Sequence, residues 1–99
     1  MARLIIWSRR AVADLEAIAE YISHDSEAYS SSVVRKILQK SRLLAEFPFS
    51  GRVVPEFANE AMREIFAYSY RIIYRIENDE VTIAAVIHGK RLLDDGLKP

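Results

Sequence analysis

At Met62 the spacing of apolar residues changes from helical to two. Before it, apolar side chains recur three or four positions apart; after it they alternate. Three β-rich runs follow: MREIFA, YRIIYRI and EVTIAAVI. Asn78-Asp79 separates the last two and predicts a tight hairpin turn. Within YRIIYRI, Ile72, Tyr74 and Ile76 share one face, and Arg71, Ile73 and Arg75 share the other. VTIAAVI is apolar on both faces, as expected of a central strand covered on each side.

What precedes the sheet is helical. RLIIW (residues 3–7) reads as a short strand, and Ser8 is placed to cap a helix with a stripe of Ala11, Leu15, Ile18 and Ile22. SHDS (residues 23–26) breaks that helix and offers Asp25 or Ser26 as the next cap. The second helix carries Val33 or Val34, Ile37, Leu38, Leu44 and Ala45 inward, with Arg35, Lys36, Gln39, Lys40 and Arg42 outward. So short a connection predicts a helical hairpin. FPFSGRVVPE (residues 47–56) reads as a loop, because Pro48 and Pro55 stop a helix and Ser50-Gly51 signals a turn. The expected order is β-α-α-β-β-β: an α+β fold, an antiparallel sheet with the hairpin packed on it, in one domain over residues 1–99.

Composition excludes several functions. The chain has no Cys, so neither a disulfide framework nor a thiolate zinc site is expected. His24 and His88 are far apart in sequence, which argues against a histidine metal site; no cofactor is expected. The apolar run in MARLIIWSRR is too short for a secretory h-region (about 7–15 residues) or a membrane span (about 20), so the expected location is the cytoplasm, with no membrane partner. Fourteen basic and fourteen acidic residues cancel. A protein that grips phosphates along nucleic acid carries a basic excess, so direct DNA binding by this chain alone is not expected.

The last strand ends abruptly in AVIHGKR. His88 reads as a partly buried residue that hydrogen-bonds locally at a strand end, since no second acid–base residue is evident beside it. Lys90 and Arg91 are either a solvated pair or a partner contact. Arg71 and Arg75 are expected on an exposed sheet face. Arg63 and Glu64 suggest a cross-strand ion pair, worth a few tenths of a kcal/mol. Tyr68 and Tyr70 read as packing residues that flank a turn.

Taken together, FP-x-x-GR-x-VPE, RE, YRI-x-Y and H-x-R at these spacings resemble the ParE/RelE superfamily of type II toxins, within it the ParE-like branch, over nearly the whole chain. The resemblance implies a βααβββ toxin silenced by a ParD-like antitoxin, expected to be of the ribbon-helix-helix type, and often tied to plasmid stabilization. RelE-like members cut mRNA in the ribosome, whereas ParE-like members inhibit DNA gyrase. Cutting RNA through its 2′-hydroxyl needs a proton acceptor, cations against the developing charge and a proton donor. Arg71 and Arg91 match two arginine positions of the ribonucleases, but the matching lysine positions fall on Met62 and Glu64, and the C-terminal tyrosine position falls on Leu97. The expectation is a gyrase-binding toxin without chemistry of its own. The alternatives are an mRNA endonuclease with the rearranged set Arg63, Arg71, His88 and Arg91, and an inactive toxin that still binds antitoxin. For the partner, an acidic tail is expected to meet Arg71, Arg75, Lys90 and Arg91, with Phe47, Phe49 and Phe57 as apolar anchors.

Overall fold

Two serines start the two helices. In the computed structural model, which describes residues 2–90, the Ser8 hydroxyl accepts from the Ala11 N–H at 3.0 Å, and the Ser26 hydroxyl accepts from the Tyr29 N–H at 3.1 Å. They open α1 (Arg9–Ser23) and α2 (Glu27–Leu43), which follow β1 (Leu4–Trp7). Glu27 in the first turn of α2 and Lys40 and Arg42 in its last complement the helix dipole. The helices pack as a hairpin, and the buried Ser30 donates its hydroxyl across to the Ala19 carbonyl at 2.7 Å.

Four further strands follow: β2 (Arg52–Val53), β3 (Met62–Ala67), β4 (Tyr70–Ile76) and β5 (Glu80–His88). The sheet order is β1-β5-β4-β3-β2. From β2 to β5 every pairing is antiparallel, as the alternation implied, and the turn at Asn78-Asp79 joins β4 to β5. Two features differ from expectation. The N-terminal strand joins the outer side of β5 in parallel, Leu4 opposite Glu80 and Trp7 opposite Ile83, so the sheet is mixed. The segment expected to be only a loop holds a single 3-10 turn, Pro48–Ser50, and the two-residue β2, which hydrogen-bonds to β3.

One face of the sheet lies under the helices. Ile72, Tyr74, Val81, Ile83 and Val86 meet Ala11, Ile22, Val33, Ile37 and Leu44 there, with Ile5, Trp7, Leu15 and Ile18 packed around them. On the other face Met62, Ile73, Ala85 and Ile87 are covered by Val54 and Phe57 from the segment between β2 and β3. Strand β5 is thus apolar on both faces, as VTIAAVI suggested. It changes face at a bulge: Tyr74 pairs with Ile83 but Ile73 pairs with Ala85, leaving Ala84 as the extra residue. Val81, Ile83 and Val86 consequently share the helix face, which strict alternation does not allow.

Candidate functional site

The residues of the FPFSGRVVPE segment are tied to the sheet one by one. The buried Tyr74 hydroxyl donates to the Pro48 carbonyl at 2.6 Å and accepts from the Gly51 N–H at 3.1 Å. Burial raises the Tyr74 pKa above its ordinary value, against the opposing effects of the Gly51 N–H and Arg63. Gly51 has no room for a side chain: a Cβ would stand 2.5 Å from both the Glu64 carbonyl oxygen and the Tyr74 hydroxyl. Arg52, next in sequence, donates from Nε to Glu64 Oε2 at 2.5 Å.

Glu64 is 1% exposed and Arg71 5%. Arg71 Nε donates to Glu64 Oε1 at 2.6 Å, while its Nη1 and Nη2 make a forked pair with Glu56, both at 2.9 Å. Arg52, Glu64, Arg71 and Glu56 therefore form an alternating chain of charge under the segment that covers the sheet. The hydrogen bond to Glu56 is the main cause that holds the Arg71 pKa above its ordinary value; burial opposes it, and Glu64 adds to it. This corrects the expectation that Arg71 lies on an exposed sheet face. The face was read properly, but the Glu56 segment covers it.

The other candidate residues scatter. Arg63 does not pair with Glu64; it donates to the Glu60 and Gly51 carbonyls at 2.9 and 3.0 Å. Its guanidinium lies 5.0 Å from the ring centre of Phe49, which Arg3 also approaches, at 6.0 Å. Phe49 and Phe47 are 59% and 58% exposed, whereas Phe57 is half-buried against the second core. Arg52 stands over Phe66 at 5.3 Å, and Lys40 Nζ donates to the Phe66 carbonyl at 2.6 Å. Two exposed aromatic patches with cations result, Phe49 with Arg63 and Arg3, and Phe66 with Arg52 and Lys40, while Phe47 and Leu43 are exposed as well. Arg75 is half-buried and has no ion pair among the described residues. His88 is exposed rather than partly buried, and its Nδ1 accepts from the Lys90 N–H at 3.3 Å, the local hydrogen bond expected of it. Arg91 and Leu97 lie outside the described residues. The set Arg63, Arg71 and His88 is not one cluster: Arg71 faces Glu56 and Glu64, Arg63 faces backbone carbonyls, and His88 rests edge-on against Tyr70.

The family model described as "ParE toxin of type II toxin-antitoxin system, parDE" matches residues 5–93. The chain belongs to the ParE toxin family. It is 32% identical over 89 residues to Toxin RelE2 of Caulobacter vibrioides, covering 89% of this chain and 97% of that protein. Its fold is shared with a chain from a solved structure titled "Chromosomal ParDE TA system from P. aeruginosa", with a TM-score of 0.73 at 20% identity, covering 88% of this chain and 96% of the other. Within this ParE-family chain the motif residues that carried the resemblance prove to be bonded to one another. Gly51 meets Tyr74, Arg52 meets Glu64, and Glu56 meets Arg71. They hold the segment between α2 and β3 in place.

Sequence reasoning missed a second concavity. Two clefts of about 490 and 330 Å3 adjoin between α1, the start of α2 and the ends of β4 and β5, sharing Tyr21, Tyr70 and His88. Tyr68 and Tyr70 do flank the β3–β4 turn as expected, yet they also line this groove. Alternation gave no signal for it, because its walls come from four separate segments.

Proposed function

We propose that this ParE-family chain is a cytoplasmic type II toxin that acts by binding a protein, DNA gyrase, and that a ParD-like antitoxin of ribbon-helix-helix type silences it. The observation that supports this reading over RNA cleavage is the state of Arg71. A phosphate ligand must offer its charge to the substrate, and here both edges of the Arg71 guanidinium are taken by Glu56 and Glu64. Glu64 also meets Arg52, so the cluster of two arginines and two glutamates has no net charge to set against a phosphorane. Neither Met62 nor Glu64 supplies the cations of the ribonuclease pattern. General acid–base catalysis contributes on the order of 10²–10⁴-fold, so a site of this kind forfeits most of the rate.

For the antitoxin, the exposed Phe47, Phe49, Leu43 and Phe66 offer apolar anchors, and the cations beside Phe49 and Phe66, Arg3, Arg63, Arg52 and Lys40, suit the acidic face of an amphipathic segment. Arg75 and Lys90 are further cations open to such a tail. The test is induction of the toxin without its partner. Growth arrest with a rising DNA damage response and continued bulk translation is the expected result. Rapid loss of translation with mRNA cut at ribosomal A-site codons would replace it with the endonuclease, and undisturbed growth with antitoxin still bound would leave an inactive binding module.

A further inference from the structure

The tyrosine groove has a chemistry opposite to the Phe49 surface. Phe49 and Arg3 lie at the far end of β4 from the groove: Arg3, which approaches Phe49, donates to the Glu77 carbonyl just past Ile76, whereas Tyr70 opens the strand. The groove is walled by the rings of Tyr21, Tyr29, Tyr68 and Tyr70, floored by Ile18 and Val86, and flanked by Asp14 and Asp25; among the described residues no Lys or Arg lines it. The Tyr29 and Tyr68 rings meet edge to face at 6.1 Å, and Tyr70 meets His88 likewise at 6.0 Å. Tyr68 holds its place from a left-handed backbone with φ 55°, a conformation that a bulky residue rarely adopts. None of the four tyrosine hydroxyls has a hydrogen-bond partner among the described residues, and burial raises the pKa of Tyr70.

The carboxylates differ in their readiness. Asp14 already accepts from the Val86 N–H at 2.9 Å and pairs with Arg10 at 3.5 Å. Asp25 has no side-chain partner among the described residues. Beyond Ile83, where β1 ends, no described strand accompanies the outer side of β5, and Val86, Ile87 and His88 line the groove there. The groove's two adjoining clefts, about 490 and 330 Å3, are of the size that ligand sites occupy.

We infer that this groove binds a peptide segment that presents an arginine or lysine among apolar residues. Such a cation would stand against the tyrosine faces and Asp25, with its apolar neighbours on Ile18 and Val86. An acidic segment would meet Asp25, whose charge no described residue offsets, so the groove and the Phe49 surface select different partners, or different parts of one partner. The site follows from this geometry and does not depend on gyrase being the target.

A displayed library of random twelve-residue peptides tests it. The library is selected on the intact protein and counter-selected on the double variant Tyr21→Ala/Asp25→Lys, both exposed positions whose fold is checked by circular dichroism. Peptides with Arg or Lys beside Leu, Ile or Phe should be enriched. As synthetic peptides they should shift the amide signals of Ile18, Tyr70 and His88, and bind the double variant roughly tenfold more weakly. Phe49→Ala should leave their affinity unchanged. Enrichment of acidic peptides, shifts confined to the Phe49 surface, equal binding to the double variant, or no enrichment at all would each overturn the inference.

Discussion

Glu64 and Arg71 are the most deeply buried charged residues described, and they face each other at 2.6 Å across neighbouring strands. Their strands place them diagonally: Glu64 is in register with Ile73, and Arg71 with Phe66. Arg52 holds the other oxygen of Glu64, and Glu56 holds the other edge of Arg71. Each charge thus leaves water only because it is met on two sides, which is the condition under which a buried ion pair persists. The same condition engages both edges of the Arg71 guanidinium within the protein.

Glu64→Gln should therefore lower stability substantially. It leaves Arg52 without a countercharge and Arg71 with only one, and breaking a buried pair on one side costs about 3 kcal/mol or more. For a domain near one hundred residues this corresponds to a fall in Tm of more than about 10 °C. A thermal melt by circular dichroism decides it. A Tm within 2 °C of the parent would mean that the pair contributes little.

Tyr74 and Gly51 should respond together. Tyr74→Phe removes one donor to Pro48 and one acceptor for Gly51, leaving buried backbone groups unpaired at a cost of about 1–3 kcal/mol. Gly51→Ala drives a methyl into backbone and is expected to lose a similar amount. Additivity of the two losses in a double variant would contradict a shared anchor, since contacts in one network couple.

Alkali should unfold the protein through the same residue. The raised pKa of Tyr74 means that the folded state keeps this proton when the unfolded chain has lost it. Its stabilising contribution is whole below about pH 10, the ordinary tyrosine value, and declines as pH rises through the folded pKa. Tyr70, raised mainly by burial, adds in the same direction. Denaturant midpoints between pH 9 and 11 should fall, and less steeply in Tyr74→Phe. An equal slope in both proteins would remove Tyr74 as the cause.

Much of this arrangement could be read from local pattern, and the remainder depended on distant contacts. Ser8 marks the first helix start and Asp25 or Ser26 the second, because a cap acts within three residues, and Ser26 makes the bond. The shared face of Ile72, Tyr74 and Ile76 follows from alternation alone. Alternation also assigned Arg71 to the second face, yet it cannot say what lies over that face, and Glu56 arrives from fifteen residues upstream. The bulge at Ala84 moved Ala85 and Ile87 to the second core, a shift invisible in a strand of uniformly apolar residues. The parallel seat of β1 is likewise unspecified, because RLIIW carries no sign of which strand it joins. Of the expected binding residues, Phe47, Phe49 and Lys90 are exposed and Arg75 is half-buried, while Arg71 serves the fold.

That division predicts opposite outcomes at two arginines on one strand. Arg75→Glu should leave the fold intact and weaken antitoxin binding, since charge-assisted contacts are worth roughly 1.5–3 kcal/mol, or about tenfold or more in Kd. Phe49→Ala should weaken it comparably. Arg71→Glu should fail to fold, with three carboxylates brought together under the segment. Calorimetry on each purified variant, with its melting curve, tests the three. A folded Arg71→Glu variant would show that the charge cluster is dispensable, and unchanged affinity for Arg75→Glu and Phe49→Ala together would move the antitoxin to other ground.

RNA should be held weakly and with little dependence on salt. The slope of affinity against salt scales with the number of phosphates neutralised, because each releases condensed counterions. This chain has no net charge, and two of its arginines, 52 and 71, are committed to Glu56 and Glu64. Arg63 is engaged by backbone carbonyls and Lys40 by another. Without a net excess of cations the chain is expected to neutralise few phosphates, and each contributes only about −0.7 to the slope on single strands. Fluorescence anisotropy with a labelled single-stranded RNA, run from about 50 to 200 mM salt, measures that slope. Submicromolar binding that weakens steeply over this range would require a phosphate-gripping face that the charge cluster at Arg71 does not offer, and would reopen the endonuclease reading.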